Sequence, residues 1–364
     1  MTMAPAEPLF SLVLCVYGVE PYIARAVRCL LDQRCGDFEL ILVDDASPDA
    51  SIETALNEAA GDARVRVVRH ESNRGLSAAR NTGLEVARGR YVCFPDPDDE
   101  TGPDFLSAAA AAIEAQDPDI VVEGLEERYL DGAGGFVYAN RVTAPSAVAR
   151  GTDEVAGLAL PLEERTLLGY VHTKFFRRAL VADLRFDSGL TVSEDFFFSL
   201  GAFERARTVC VLDVAEYRYQ KRSGSLTGGR YDSQRYTPDY YDVHRARIQT
   251  MLDFLEAHGI ADDEAMQTLG ALYGRYVVST LMRQAAPVGG LSKGERRAWA
   301  RELKRDPLFQ RLIPVARARR SRALAVSLGV LRSGCVPAML ALGTAVSRAK
   351  AQGPGLVTKI QSER

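Results

Sequence analysis

Short apolar runs alternate with helical patterns over the first 120 or so residues, and this alternation limits the fold more strongly than any other feature of the chain. The first run is nearly unbroken, which is typical of a strand that is covered on both faces. The runs lie at 10–17, 38–43, 64–69, 91–94 and 120–123. Helical patterns at 21–33 and 76–87 separate several of them. Strands that alternate with helices in this way predict right-handed βαβ units and a parallel sheet.

Acidic residues follow two of these runs. Asp44 and Asp45 close the second run, and Asp96, Asp98 and Asp99 come directly after the fourth. In parallel sheets ligands bind beyond the carboxyl ends of the strands, so we expect both clusters at one edge of the sheet. Three carboxylates within four residues repel one another, and a divalent cation held by oxygen ligands would relieve that repulsion. A solvated turn rich in Asp and Pro is the alternative for the second cluster taken alone.

The chain after residue 123 predicts further elements. Glycines between 132 and 135 mark a turn between two hairpin arms. Residues 171–184 predict a strand or a loop that enters a helix. Ser193 is expected to cap the helix that begins with Glu194 and Asp195, since acids are favourable in a first turn. Short strands are expected at 208–212 and 216–220, a helical pattern begins at Glu154, and almost all of the chain beyond residue 231 is expected to be helical.

Composition and cysteine spacing exclude several classes of protein. A formal net charge of −3 argues against nucleic acid as the main partner. The six cysteines include no CxxC pair, and four of them lie inside apolar runs, so we expect most of them to be buried thiols rather than metal ligands. No GxGxxG follows a predicted strand, which argues against a NAD-dependent enzyme. The first ten residues lack a basic residue and a secretory apolar segment, so we expect the protein to be cytoplasmic.

The segment 311–350 combines positive charge with apolar stretches. It contains eight Arg or Lys residues and no Asp or Glu. This composition predicts a helix pair on an anionic membrane surface, peripheral to the inner face of the cell membrane. A pair of core helices, or of helices that form a homo-oligomer, fits the same pattern. A full transmembrane helix is disfavoured because Arg332 and Pro337 interrupt the only candidate span.

An ordered series of motifs links these features. It comprises LVLCVYGVEPYI, ILVDDASPD, ESNRGLSAARNTGLEVARG, FPDPDDE, KFFRR, SEDFFF and YRYQKRSGSLT. In order and spacing the series resembles the bacterial family 2 glycosyltransferases of cell-envelope polysaccharide synthesis. Their α/β fold is the GT-A type, a nucleotide-sugar-binding fold with a mostly parallel, Rossmann-like sheet. The resemblance covers residues 8–228. It implies a GT-A domain at 8–229, divided into a nucleotide-binding half at 8–110 and an acceptor half at 111–229, and then a helical region at 230–364.

The resemblance implies roles for residues of the first half. Asp45 would bind the uracil edge of the nucleotide, and Asp44 would hold the turn beside it. The backbone near Val16 and Tyr17 would line the same base pocket. Arg80 would face the nucleotide, where a guanidinium suits charge-assisted hydrogen bonds. A helix-surface salt bridge is the alternative for Arg80.

The acidic turn matches the metal motif of the same family. Asp98 would contact the ribose or the metal, and Asp99 would ligate a Mn²⁺ or Mg²⁺ ion. Asp96 would bind the nucleotide-sugar side, chiefly as support for the turn. The cation would stabilise the negative charge that develops on the β-phosphate of the leaving nucleoside diphosphate.

Residues of the second half complete the implied site. Asp195 would be the general base that takes the proton of the acceptor hydroxyl, with Glu194 as the second candidate. Lys221, Arg222 and Ser225 would close over the diphosphate.

The acceptor side is represented by His172 and Lys174, which would line its pocket, although a lone His beside aromatic residues is more often a packing residue.

The resulting hypothesis is an inverting, metal-dependent glycosyltransferase that uses a nucleotide-sugar, with a UDP-sugar expected. Its acceptor would be a hydroxyl of a cell-envelope glycan, a teichoic-acid-like polymer or a lipid-linked intermediate. The alternative is a catalytically inactive GT-A scaffold that binds within an envelope-synthesis complex.

Overall fold

The structure is a computed structural model. It describes residues 7–131, 134–190, 192–221, 236, 238–286, 288–319 and 321–352. The chain divides into two compact units, Met1–Lys221 and Arg222–Arg364, and each has buried hydrophobic residues of its own. The domain boundary expected after residue 229 falls in the segment 222–235, which lies outside the described residues.

The first unit mixes strands and helices. Its strands are β1 (Phe10–Val16), β2 (Phe38–Asp44), β3 (Val65–Arg69), β4 (Tyr91–Cys93), β5 (Glu100–Thr101), β6 (Ile120–Val122), β7 (Leu125–Leu130), β8 (Phe136–Val142), β9 (Ala147–Arg150), β10 (Lys174–Arg177), β11 (Thr208–Val211) and β12 (Tyr217–Lys221). Its helices are α1 (Glu20–Leu31), α2 (Ser51–Ala59), α3 (Leu76–Val86), α4 (Phe105–Gln116), α5 (Gly151–Glu164), α6 (Arg178–Val181) and α7 (Glu194–Arg205). The strands predicted from the apolar runs are confirmed, and their ends differ by a residue or so.

The main sheet has eight strands in the described part of the first unit, in the order β3-β2-β1-β4-β10-β6-β11-β9. Neighbouring strands among the first four are parallel, which confirms the predicted parallel sheet. β10 lies between β4 and β6 and runs antiparallel to both. The nucleotide-binding and acceptor halves expected from the sequence therefore share one sheet. The direction of β10 could not be predicted, because a short buried strand has the same pattern in either direction.

Close packing of α3 on β1 fixes the loops at one edge of this sheet. A Cβ at Gly83 would lie 2.1 Å from Val13 Cγ1, so only glycine allows this approach. Similarly, a Cβ at Gly89 would lie 2.5 Å from the backbone of Phe10. β1 is buried along its whole length. Helix α3 therefore begins beside the carboxyl ends of the parallel strands, and its early residue Arg80 is carried there with it.

A smaller sheet lies beside the main one in the first unit. Its described strands have the order β5-β12-β7-β8. β7 and β8 form the predicted antiparallel hairpin, and β12 pairs parallel to β7. β5, which directly follows the acidic turn, pairs with β12. This pairing holds β12 against the acidic turn, so the smaller sheet forms one wall of the candidate site.

The second unit is helical, as predicted. Its described helices are α8 (Tyr240–Ala257), α9 (Asp263–Gln284), α10 (Lys293–Leu303), α11 (Pro307–Leu312), α12 (Arg322–Ser333) and α13 (Val336–Gln352). Ser292 caps α10 with a full capping box, in which its side chain and that of Glu295 each bond the other's backbone.

The apolar stretches of 311–350 pack inside the second unit. Leu328 and Leu331 of α12 and Met339 of α13 are buried. Gly343 brings α13 against α9, since a Cβ there would lie 2.5 Å from the Leu281 carbonyl oxygen. These faces are the core helices that one reading of the sequence predicted. Contact of the outer faces with a membrane surface stays a prediction, and among the described helices we find none with the length and apolarity needed for a membrane span.

Candidate active site

Arg80 joins three carboxylates that come from distant parts of the chain. Its Nη1 lies 2.9 Å from Glu194 Oε1 and 2.9 Å from Asp195 Oδ1, and its Nη2 lies 3.4 Å from Asp96 Oδ1. α3 supplies the arginine, the first turn of α7 supplies two of the acids, and Asp96 follows β4. The side chain of Arg80 is 3% exposed, so it is a buried link rather than the surface salt bridge that the alternative reading expected.

The groups at this link differ in how readily they ionise. Burial opposes the charge of Arg80, but Asp195, Asp96 and Glu194 outweigh it and raise the Arg80 pKa. Burial, with the charge of Asp195, raises the pKa of Glu194 to about 8. Burial acts on Asp195 in the same direction, but Arg80 and a hydrogen bond from Glu194 outweigh it and lower the Asp195 pKa. At neutral pH the pair therefore holds its proton on Glu194, and Asp195 is ionised.

Asp195 has the protonation state and exposure that a general base needs. Its side chain is 19% exposed, whereas that of Glu194 is 10% exposed. An ionised, accessible carboxylate can take a proton from a hydroxyl, but a buried carboxyl that is already protonated cannot. The geometry therefore favours the first of the two candidate bases that the sequence suggested.

The residue before this pair does not cap α7 as expected. Ser193 has φ +66°, in the left-handed region, and its side chain makes no capping hydrogen bond. Its Oγ is buried and has no hydrogen-bond partner within the described structure. The predicted cap is wrong because a left-handed backbone at this position turns the hydroxyl away from the first N–H groups of the helix. The strained residue instead directs Glu194 and Asp195 toward Arg80.

The acidic turn is built around Tyr217 of β12. The Tyr217 hydroxyl donates to Asp99 Oδ2 at 2.8 Å and accepts from the Asp96 N–H at 3.0 Å. Asp99 Oδ1 accepts from the Gln220 N–H at 2.8 Å. Burial, together with the charges of Asp98 and Asp96, raises the pKa of Asp99 well above its ordinary value. Asp99 is thus a buried carboxyl that ties the turn to the smaller sheet.

The fit of a divalent cation depends on which oxygens of this turn can reach it. Both oxygens of Asp99 are used in hydrogen bonds, so the geometry does not favour Asp99 as the predicted ligand. Asp96 and Asp98 are the partly exposed acids of the turn. Within the described ranges, no three His, Cys, Asp or Glu side chains are grouped closely enough to hold a metal ion. Mg²⁺ is commonly bound by one or two carboxylates with phosphate oxygens, so the turn fits a cation that shares its ligands with a diphosphate.

Asp45 is buried, and its carboxylate makes hydrogen bonds within the protein. Its Oδ1 accepts from the Arg74 N–H and its Oδ2 from the Gly75 N–H, both at 2.8 Å. Asp45 Oδ1 also lies 2.6 Å from His70 Nδ1, and His70 Nε2 lies 2.8 Å from Thr82 Oγ1. Asp45 therefore fixes the loop that leads into α3. With its oxygens used in this way, it is poorly placed for the uracil contact that the resemblance implied.

Asp44 is more accessible than Asp45 and lies in the neighbouring turn. Asp44 Oδ1 accepts from the Ser47 N–H at 2.9 Å, so Asp44 holds the turn as implied. Its Oδ2 lies 3.5 Å from Arg69 Nε. Val16 beside it is fully buried, whereas Tyr17 is 48% exposed at the same edge. An open aromatic ring beside a carboxylate is a surface on which a planar base could stack.

A hydrogen-bonded clasp holds the loops after β1 and β2 together. The Ser47 hydroxyl accepts from the Gly18 N–H at 2.9 Å and donates to Asp49 Oδ1 at 2.7 Å. The Ser51 hydroxyl accepts from the Val19 N–H at 3.0 Å. Burial opposes ionisation of Asp49, but hydrogen bonds from Ser51 and Ser47 outweigh it and lower the Asp49 pKa to about 2. The clasp fixes the shape of the candidate base pocket before any nucleotide binds.

The basic residues expected near the diphosphate and acceptor lie in different surroundings. Lys174 is fully buried, and its Nζ donates to the carbonyl oxygens of Leu167 and Tyr170, so it supports a loop rather than lining a pocket. Lys221 Nζ lies 2.6 Å from Glu127 Oε1 on the smaller sheet. The remaining two residues expected to cover the diphosphate, Arg222 and Ser225, lie outside the described residues.

His172 lies between the acidic turn and the smaller sheet. Its ring stacks on Tyr217 at 4.4 Å and on Tyr170 at 4.9 Å between centroids. His172 Nδ1 lies 3.3 Å from Asp96 Oδ2, but neither ring nitrogen makes a well-directed hydrogen bond to any described residue. The sequence predicted an acceptor-side role, which stays a prediction. The structure brings the residue to within reach of the candidate site.

Two residues of this region were missed in the sequence. Tyr217 orders the acidic turn, and only its alternation with Tyr219 in a strand pattern hinted at a shared face. Glu123 is fully buried, and neither carboxylate oxygen has a hydrogen-bond partner among the described residues. Burial, with the charge of Glu216, raises its pKa well above the ordinary value. A carboxyl that ends an apolar run was the available signal for Glu123.

Comparison with known proteins identifies the family. Residues 11–138 match the family model described as glycosyl transferase family 2. The uncharacterized glycosyltransferase EpsJ of Bacillus subtilis is 35% identical over 260 residues, which cover 70% of this chain and 72% of that protein. The succinoglycan biosynthesis protein ExoO of Rhizobium meliloti is 33% identical over 229 residues, or 60% of this chain and 63% of that protein.

A solved structure supports the same fold. The crystal structure of residues 1–349 of Staphylococcus aureus TarS in complex with UDP-GlcNAc superposes with a TM-score of 0.62 and 23% identity, over 93% of this chain and 92% of that one. At this identity the match shows the fold alone. The matching fold, the matched domain and the similarity to EpsJ agree with the predicted GT-A architecture. The chain belongs to glycosyl transferase family 2 and is a glycosyltransferase.

Proposed function

We propose that this glycosyltransferase moves a sugar from a UDP-sugar to a hydroxyl of a cell-envelope glycan, with a divalent cation and with inversion at the anomeric carbon. The observation that carries this proposal is that the buried Arg80 joins the acidic turn to the ionised carboxylate of α7. Asp96 and Asp195 both contact Arg80, so a donor bound at the turn and an acceptor near Asp195 would meet at one point.

The donor side would use the pocket at the carboxyl ends of β1, β2 and β4. TarS, which shares the fold, was crystallised with UDP-GlcNAc, and this supports a uridine nucleotide here. We assign the base contact to Asp44 and to the open ring of Tyr17, because Asp45 is buried whereas the side chain of Asp44 is more accessible. Arg80 would lie beside the sugar diphosphate while it bridges the acids.

A divalent cation would be held by Asp98, with Asp96 beside it. This assignment replaces Asp99, whose oxygens bond Tyr217 and Gln220. The chemistry supplied by a bound Mn²⁺ or Mg²⁺ is neutralisation of the charge that develops on the leaving diphosphate. Asp99 would then keep the turn in shape through β12.

The chemical step needs a base on the acceptor side. Asp195 would take the proton of the acceptor hydroxyl as its oxygen attacks C1 of the sugar, and the nucleoside diphosphate would leave with the electron pair of the broken C1–O bond. One displacement inverts the anomeric configuration. Glu194, protonated at neutral pH, would donate its hydrogen bond to Asp195 and keep that carboxylate ionised.

The proposal can be tested with a panel of UDP-, GDP- and dTDP-sugars. Binding and slow donor hydrolysis are measured with and without Mn²⁺ on the full chain, on Asp98→Asn and on Asp44→Asn. We expect UDP-sugars to bind and GDP- and dTDP-sugars not to bind. Donor hydrolysis should require the cation, and both variants should bind and hydrolyse the donor less well. If no nucleotide-sugar binds, or if binding is the same in Asp44→Asn, Asp98→Asn and the unaltered chain, the proposal is wrong.

A further inference from the structure

One face of the smaller sheet carries a row of aromatic rings that leads away from the candidate active site. The tyrosine–histidine row, as we name it, consists of Tyr217, His172, Tyr170, Tyr219, Tyr129 and Tyr138. Ring centroids of His172 lie 4.4 Å from Tyr217, 4.9 Å from Tyr170 and 5.7 Å from Tyr219. Tyr129 and Tyr138 stack at 4.3 Å with an interplanar angle of 11°.

Strand register places the outer part of this row on one face. Tyr219 pairs with Glu127 across β12 and β7, and Lys221 pairs with Tyr129. Across β7 and β8, Tyr129 in turn faces Tyr138. Directly opposite residues project to the same side of a sheet. From Tyr217 to Lys221 the strand covers about 13 Å, and the two neighbouring strands add about 10 Å across the sheet. The face is therefore longer than one sugar ring.

Polar groups lie among the rings. Glu127 Oε2 accepts from Asn140 Nδ2 at 3.2 Å and from the Tyr129 hydroxyl at 3.1 Å. Lys221 Nζ bonds Glu127 Oε1 and also lies 5.0 Å from the centre of the Tyr129 ring. This lysine and glutamate offset each other's charge. The four half-buried rings of the row thus form a near-neutral aromatic surface, with hydroxyl, amide and carboxylate groups along it; they are those of Tyr170, Tyr219, Tyr129 and Tyr138.

The inner end of the row holds polar atoms whose hydrogen bonding is incomplete. His172 is 2% exposed, and its two ring nitrogens make no hydrogen bond to a described residue. The hydroxyl of Tyr138 at the outer end is buried and has no hydrogen-bond partner within the described ranges either. A buried polar atom without a hydrogen-bond partner destabilises the folded protein unless a ligand or a water molecule completes its hydrogen bonding. His172 Nδ1 lies 3.3 Å from Asp96 Oδ2, so the row is continuous with the catalytic carboxylates.

From this arrangement we infer that the tyrosine–histidine row binds the acceptor as a chain of neutral pyranose rings. The weakly positive C–H groups on one face of a pyranose match the negative face of an aromatic ring. Its hydroxyls match the amide, carboxylate and phenol groups between the rings. Because the His172 ring is enclosed between Tyr217 and Tyr170, the half-buried rings of Tyr170 and Tyr219 would hold the terminal sugar, and its reacting hydroxyl would then lie near Asp195. This inference rests on the proposed function and names its acceptor class.

A polyol-phosphate polymer of the teichoic-acid type fits the same face less well. Repeated phosphates call for unpaired cations along the groove. Among the described residues of this face the lysine is Lys221, which is paired with Glu127, and the row as defined contains no arginine. Aromatic stacking also has no flat partner in an open polyol chain. We therefore assign pyranose rings and treat a phosphate polymer as the rival outcome of the test.

Saturation-transfer NMR on the full chain can test the inference with named probes. The probes are cellohexaose, chitohexaose, maltohexaose and a poly(glycerol phosphate) polymer, each with UDP present. We expect at least one hexaose to bind through its ring protons and poly(glycerol phosphate) to give no signal. Tyr138→Ala and Tyr129→Ala should each weaken hexaose binding by about tenfold, whereas Tyr138→Phe keeps the ring, loses only the hydroxyl and should weaken binding less.

The matched control is Val137→Ala, which alters the next residue of β8, on the opposite face of the strand. It should bind the hexaose normally. Three outcomes would overturn the inference: no hexaose binds although UDP does, Tyr138→Ala and Tyr129→Ala bind as well as the control, or the phosphate polymer binds in place of the sugars. If the unaltered chain did not bind UDP at all, the proposed function itself would be contradicted. Failure of the inference and failure of the proposed function are therefore distinguishable.

Discussion

Arg80 and Asp195 are 115 positions apart in the chain, yet their side chains lie 2.9 Å apart. The contact joins the beginning of α3 to the first turn of α7 and crosses the space in which donor and acceptor would react. It also sets the protonation of the candidate base, because the buried guanidinium lowers the pKa of Asp195 against the effect of burial. Several measurable consequences depend on this pair.

Replacing Arg80 should destabilise the first unit strongly. Arg80→Met leaves Asp96, Glu194 and Asp195 without their shared cation, and removal of one partner from a buried ion pair costs about 3–5 kcal/mol. Urea unfolding followed by circular dichroism measures the change. Arg28→Met is the matched control, since its pair with Glu58 is largely exposed and should contribute little to stability. Equal losses in the two variants would show that Arg80 is not a buried link.

The two acids of α7 should respond differently to amide substitution. Asp195→Asn removes the proposed base and should lower kcat by roughly 10²–10⁴-fold. Glu194→Gln mimics a carboxyl that is already protonated at neutral pH, so it should retain most of the activity. Transfer rates for both variants, measured at saturating donor, make the comparison. If Glu194→Gln lost more activity than Asp195→Asn, their roles would have to be exchanged.

The raised pKa of Glu194 predicts a pH dependence of stability. Its pKa is about 8 in the folded protein and near 4.5 when unfolded. Between these values the folded state binds one more proton than the unfolded state. The free energy of unfolding should therefore fall as pH rises through this window, by at most about 1.4 kcal/mol per pH unit.

Urea titrations of the unaltered chain and of Glu194→Gln at several pH values between 5 and 8 would isolate this contribution. The glutamine cannot ionise, so the difference in unfolding free energy between the two proteins should change steadily across the window. Parallel pH profiles would mean that Glu194 ionises normally in the folded protein.

Substitutions in the acidic turn should separate cation binding from turn structure. Asp98→Asn should raise the Mn²⁺ concentration needed for half-maximal donor hydrolysis by about tenfold or more, since it removes a charged ligand. Asp99→Asn should leave that concentration nearly unchanged and lower stability, because its oxygens bond Tyr217 and Gln220. Metal titration and urea unfolding are measured on both variants. The opposite pattern would restore Asp99 as the ligand that the sequence suggested.

The contact between α3 and β1 should tolerate no added methyl group. A Cβ at Gly83 would lie 2.1 Å from Val13 Cγ1, so Gly83→Ala should cost about 1–3 kcal/mol in stability. Val13→Ala, in a double-mutant cycle, should recover part of that loss by making room. Additive effects of the two substitutions would show that the helix moves away instead.

The order of strands and helices could be predicted because it depends on local patterns. The four apolar runs before residue 95 are the parallel strands that the alternation predicted, and acidic residues that follow two of them lie at one edge of the sheet. The location of Glu194 and Asp195 in the first turn of a helix was also visible, since acids before an aromatic helical pattern fit a helix N-terminus.

The partners of individual side chains could not be predicted in this way. Lys174 looked like a pocket residue, but it is buried and bonds the carbonyls of its own loop. Asp45 and Asp99 each directly follow a more accessible acid in the chain. Only the hydrogen bonds of the folded protein show that Asp45 and Asp99 support the loops. Tyr217 is far from the acidic turn in the chain, and strand pairing alone brings it there.

The antiparallel strand in the middle of the main sheet affects the order in which the protein can be made. During synthesis β1 to β4 emerge first, and the outer edge of β4 acquires its partner only when Phe176 of β10 pairs with Val92. Until then a nascent chain presents an unpaired strand edge, and such edges invite pairing with other chains. The eighty residues between β4 and β10 thus set how long this strand edge stays unpaired while the chain is being made.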